Sequence, residues 1–116
     1  MVLYSDSVSI AATTAGVAGT VNVPTGAKLI GMNLAYFSAT AAVPTKVSIA
    51  WQGCPRNLDF VPNVMSMLGT SGGAMSMGAT PTIPLNIVLT GANTVTVTIT
   101  SSGNLTVQVS LMWEAA

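Results

Sequence analysis

Charge is what this chain has least of. Its 116 residues include three basic and three acidic side chains and no histidine. The six are Asp6, Lys28, Lys46, Arg56, Asp59 and Glu114, 5% of the sequence and a net charge of zero; an ordinary soluble domain carries roughly 25%. Nucleic-acid binding rests on a basic patch that displaces phosphate counterions, and three scattered cations cannot build one. An anionic membrane surface is excluded as a target on the same ground. Without histidine there is no imidazole to serve as a pH switch. Long apolar runs are missing too. Half of the residues are hydrophobic, but no stretch approaches the roughly 18 apolar residues that a spanning helix requires, so membrane insertion is not expected. The start, Met1-Val2-Leu3-Tyr4-Ser5-Asp6, has neither a basic segment nor an apolar one. The expectation is synthesis in a cytoplasm without a cleaved signal peptide.

Reactive constellations are equally scarce. Cys54 is the only cysteine, which rules out an intrachain disulfide and reads as a packing residue, with an intermolecular bridge as the alternative. Zinc needs several Cys or His ligands, and calcium needs carboxylates clustered within one loop; neither pattern is present, so no metal or other cofactor is expected. Gly69-Thr70-Ser71-Gly72-Gly73 matches the nucleophile elbow G-x-S-x-G. That motif works where a strand turns sharply into a helix and a histidine takes the serine proton. Here the setting is glycine-rich and no histidine exists, so the string reads as a flexible turn. General acid–base work would fall to Asp6, Asp59 and Glu114, which lie on three different expected elements. The chain reads as no enzyme, with no small-molecule substrate.

What is present is period-two alternation, the signature of half-buried strands. Residues 93–100, Asn-Thr-Val-Thr-Val-Thr-Ile-Thr, put valine and isoleucine on one face and threonine on the other. Residues 105–113 alternate again after the turn-forming Ser101-Ser102-Gly103-Asn104, and the pair reads as a β-hairpin. The same rhythm marks strands at 4–11, 20–23, 28–37, 46–52 and 85–89, with a turn at Pro24-Thr25-Gly26 and a loop at 38–44. Residues 28–37 look buried on much of both faces, and Val47, Ile49 and Trp51 should point inward. From Gly53 to Pro84 prolines and glycines accumulate; short strands are expected near 59–62 and 74–77, one helical turn near 64–68, and irregular chain elsewhere. The result is one all-β domain spanning 1–116, an antiparallel two-sheet β-sandwich of about eight strands, with a jelly roll the preferred topology and an immunoglobulin-like sandwich the second. At this length the core needs no disulfide or metal.

Two segments stand out as a candidate subunit interface. In Cys54-Pro55-Arg56-Asn57-Leu58-Asp59-Phe60, an Arg56–Asp59 ion pair would tie down a loop. Alternatively Arg56 and Asp59 would give geometry-specific contacts to a neighbour, with Phe60 as an apolar anchor. Met65, Met67, Met75 and Met77 crowd one stretch; methionine is adaptable at contact surfaces and equally at home over a domain's own core. Trp51 and Trp113 read as core residues. Sugar binding by a β-sandwich needs exposed aromatics near Asp or Asn, and Asn57, Asn63 and Asn86 are not grouped. Asn104-Leu105-Thr106 matches a glycosylation acceptor, a chance match in a chain with no export signal.

The outward positions of the strands are Ser, Thr, Asn and Gln. A free monomer normally stays soluble through net charge, and lysines on edge strands discourage edge-to-edge pairing. This chain has neither device, which points to self-association as its purpose: close-packed subunits with uncharged faces avoid desolvating ions. Strands such as 28–37, 46–52, 93–100 and 105–113 in a chain of this size resemble small virion proteins built on a single jelly roll, among them capsid, penton and decoration subunits of viruses and phages. The resemblance implies a homo-oligomeric, non-enzymatic building block located in the virion, with itself and other virion proteins as partners. A carbohydrate- or receptor-binding sandwich module is the alternative, and an extracellular filament subunit the third.

Overall fold

The computed structural model describes residues 3–38, 42–51, 58–60, 65–69, 75–79, 82–89 and 94–115. Among them are ten strands and no helix: β1 (Leu3–Ala12), β2 (Val17–Asn22), β3 (Lys28–Ser38), β4 (Pro44–Trp51), β5 (Leu58–Phe60), β6 (Met65–Gly69), β7 (Met75–Ala79), β8 (Ile83–Val88), β9 (Thr94–Ser101) and β10 (Leu105–Glu114). They form a two-sheet antiparallel sandwich. One sheet runs β1-β10-β3-β7-β6, with β8 also paired to β3; the other runs β2-β9-β4-β5. Strands β7 and β8 share β3, the former opposite residues 35–38 and the latter opposite residues 28–32.

The alternation sets this arrangement. Along β9, Val95, Val97 and Ile99 are fully buried while the intervening threonines are half-buried. Along β10, residues 105, 107, 109, 111 and 113 are buried. A strand with one apolar face must place it against another such face. The two sheets do so, with Leu29, Met32 and Leu34 of β3 and Ile10 of β1 on one side and Val21, Val47 and Ile49 on the other. The Tyr36 hydroxyl is buried in this core with no hydrogen-bond partner.

Strand β3 looked buried on both faces, and a bulge explains why. Opposite β10 the register slips between Met112 and Trp113, which pair with Gly31 and Leu29. Ile30 is therefore an extra residue, and an extra residue reverses the alternation. Leu29 faces inward before the bulge, and Met32, Leu34 and Tyr36 face inward after it.

The expected hairpin of 93–100 with 105–113 does not form. Strand β9 lies in one sheet and β10 in the other. Residues 101–104 make an arch across the core rather than a turn within a sheet. The Ser101 hydroxyl donates to the Gly103 carbonyl. Ser102 N–H donates to the Val43 carbonyl at 3.0 Å, and Val43 N–H donates back to the Ser102 hydroxyl at 2.9 Å. Both strands have a fully apolar face, so stacking them face to face buries more than pairing them side by side. The helical turn expected near 64–68 is also overturned over its described part: residues 65–68 are in β6, which pairs with β7 over Met65–Gly69. Sheet pairing overrides the local preference of a short apolar run.

The turn at 24–26 is present. Ala27 N–H donates to the Pro24 carbonyl at 3.2 Å, with Gly26 at φ +87°, the left-handed position that a type II turn gives to glycine. Gly26 N–H also donates to the Leu89 carbonyl, and Leu89 N–H to the Ala27 carbonyl at 2.9 Å, tying the β2–β3 link to the end of β8.

Candidate functional site

The expected interface residues that the structure describes fall on the two strands that end the sheets on one side and on the strand next to one of them. Strand β5 closes the four-stranded sheet and β6 closes the other. Asp59 and Phe60 are on β5, opposite Ser48 and Val47. Met65 and Met67 are on β6 and Met75 and Met77 on β7, with Met67 directly opposite Met77. The side chains of Phe60 and the four methionines lie outside the described residues, as do Arg56, Cys54, Asn57, Asn63 and Ser71.

Asp59 has its partners on β4. The Ser48 hydroxyl donates to Oδ1 at 2.5 Å, and Lys46 Nζ is 3.4 Å from Oδ2. The Ser48 hydrogen bond first, and the Lys46 charge second, hold the Asp59 carboxyl below the ordinary carboxylate range. Asp59 is thus ion-paired with Lys46, while the pair anticipated with Arg56 falls outside the described residues. Both charged ends are about half exposed, so the pair fixes β5 against β4 more than it stabilises the fold.

The other side of the sandwich is different. Strand β1 ends the larger sheet and β2 the smaller. Toward its end β1 packs on β2: a Cβ added at Gly19 would stand 2.9 Å from Cγ1 of Ile10 and 3.1 Å from Cγ2 of Val8. Toward its start β1 parts from β2. Tyr4 and Asp6 share the inward face with Val8, Ile10 and Ala12 by strand parity, yet both are exposed. Between the two strands opens a groove of about 630 Å³, with residues 4–6 on one wall, 22–24 on the other and Trp113 among its lining.

Trp113 is 7% exposed and belongs to the core cluster; Trp51 is half-buried against the same core. Both tryptophans thus pack as expected. The Tyr4 ring stacks on Trp113, with centroids 6.2 Å apart and planes inclined by 22°, while staying 48% exposed. Asp6 Oδ1 accepts the Ser7 N–H at 2.8 Å. The groove was missed because its two walls are far apart in sequence. The available signal was an aromatic and a carboxylate at inward-facing positions of a strand's first half.

Among the described residues no three His, Cys, Asp or Glu side chains lie close enough together to hold a metal ion, and none of the helix type that crosses membranes is present. No family model and no curated protein matches the chain. Among solved structures, it is similar to the cyanophage Pam1 capsid asymmetric unit, at 24% identity and a TM-score of 0.46, over 96% of this chain and 81% of that one. A likeness at that TM-score carries no argument about role.

Proposed function

We propose that this chain is a non-enzymatic structural protein, a single-domain subunit that self-assembles within a virion. The observation that carries the reading is the edge strand β1. It is ten residues long, and its second edge has no strand beside it among the described residues. An unpaired edge of that length is a template for another strand unless lysine, proline or a bulge blocks it. Strand β1 has none of these; its one charge is Asp6, and its register with β10 is continuous from Leu3 to Ala12. Its outer face is Ser5, Ser7, Ser9 and Ala11, all exposed and uncharged, and Leu3 at its start is 58% exposed. A second copy laid along this edge would satisfy the open backbone groups without desolvating an ion.

The test is oligomeric state. Size-exclusion chromatography with light scattering should give an oligomer that persists on dilution to micromolar concentration. The double variant Ser9→Lys, Ala11→Lys places two cations on the outer face of β1, away from the core and the groove, and should yield folded monomers with the circular dichroism of the parent. A parent that is monomeric at micromolar concentration would overturn the reading, and an unchanged oligomer in the double variant would remove β1 from it.

A further inference from the structure

We infer that the groove between β1 and β2 is a binding site for a neutral saccharide, a function beyond assembly. Three features meet there. The first is an apolar platform. The exposed Tyr4 ring is held in place by stacking on Trp113, and Trp113 is fixed by the core. A pyranose presents a face of C–H groups that packs on such a ring, and a ring already immobilised loses little entropy on binding.

The second feature is a carboxylate with no cation. Lys46 is paired with Asp59, and Lys28 stands directly opposite Glu114 on the neighbouring strand. Asp6 has no basic side chain within ion-pair distance among the described residues. Its Oδ1 accepts the Ser7 N–H, and the residue is exposed and lines the groove. A carboxylate accepts two hydrogen bonds side by side, the spacing that vicinal hydroxyls offer. The exposed Asn22 on the far wall supplies both a donor and an acceptor across the opening.

The third feature is size and sign. A groove of about 630 Å³ lies within the range of roughly 300–1,000 Å³ usual for small-ligand sites, enough for one or two sugar rings. Among the described residues its lining contains no cation, which disfavours phosphorylated and carboxylated sugars as ligands.

The probes are maltose, cellobiose, lactose and mannobiose, each at millimolar concentration, read by saturation-transfer NMR on the sugar and by amide shifts on the protein. At least one should receive saturation and shift amides in residues 4–6 and 22–24. Tyr4→Ala and Asp6→Asn, both at exposed positions, should each weaken binding at least tenfold while leaving the rest of the amide spectrum in place. Glucose 6-phosphate should bind more weakly than the best neutral sugar. Silence from all four disaccharides, shifts located elsewhere, or binding unchanged in both variants would overturn the inference. Recording the same titration on the Ser9→Lys, Ala11→Lys monomer, whose substitutions lie outside the groove lining, separates it from assembly.

Discussion

At the scale of single residues, two positions carry consequences out of proportion to their size. Gly19 on β2 faces the side chains of Ile10 and Val8 so closely that an added Cβ would meet Ile10 Cγ1 at 2.9 Å. That atom sits next to the backbone and cannot swing away as the end of a long side chain would. Replacing glycine within a strand ordinarily gains about 0.5–1 kcal/mol through the unfolded state, but overpacking costs about 1–3 kcal/mol. The second effect is the larger, so Gly19→Ala should lower the urea midpoint, with the slope of the transition unchanged; an increase would mean that β1 and β2 part easily along their whole length. Asp59 is the other position. Its carboxyl titrates below the ordinary range because Ser48 donates to it and Lys46 stands beside it. A group whose pKa is depressed on folding stabilises the fold above its unfolded pKa, about 3.9 for Asp, and that contribution fades as pH falls through the folded value. Asp59→Asn keeps an oxygen for Ser48 but has no charge to lose. The stability difference between parent and variant should therefore be constant at neutral pH and shrink below about pH 4, as thermal melts across acid pH would record. A difference that persisted undiminished at the lowest pH would assign the effect to packing.

At the scale of elements, the strands were legible and their partners were not. Thr94 to Thr100 and Leu105 to Trp113 were recognisable because alternation depends only on one buried face, and the burial follows it residue by residue. Their placement in opposite sheets was hidden because Ser101-Ser102-Gly103-Asn104 suits any tight reversal. What decides between hairpin and arch is the contact of Ser102 with Val43, a residue 59 positions away. Strand β6 was hidden for a related reason: Met65 to Gly69 alternates over its first three residues only and is a strand through its pairing with β7. The bulge at Ile30 shows the opposite case. The apparent two-sided burial of β3 was visible in the sequence, and only the register with β10 reveals it as one buried face that changes parity. The groove follows the same logic. Tyr4 and Asp6 could be placed on an inward face from parity alone, but that β2 turns away at Asn22 and leaves them uncovered is a property of the sandwich.

At the scale of the whole molecule, the scarcity of charge acquires a pattern. Lys46 pairs with Asp59 within the subunit, and Lys28 and Glu114 face each other across adjacent strands. Apart from the exposed Asp6, the outer faces of the described strands present mainly hydroxyls and amides: Ser7, Ser9 and Gln108 on one sheet, where Gln108 Nε2 donates to the Ser7 hydroxyl at 3.1 Å, and Thr94, Thr96, Thr98 and Thr100 on the other. Such a surface projects little field beyond its own strands, so the proposed contacts between copies would rest on backbone hydrogen bonds and apolar burial. Charged interfaces weaken as salt shortens the Debye length, from about 30 Å at 0.01 M to about 3 Å at 1 M. Backbone pairing and apolar burial do not weaken in that way. The oligomer of the parent chain should therefore keep its mass in light scattering across that whole range of sodium chloride. Its rate of association, followed by stopped-flow scattering after dilution from denaturant, should vary little as well, because no electrostatic steering is available to screen. Dissociation at high salt would show that a charged pair between subunits, not an open strand edge, holds the assembly together.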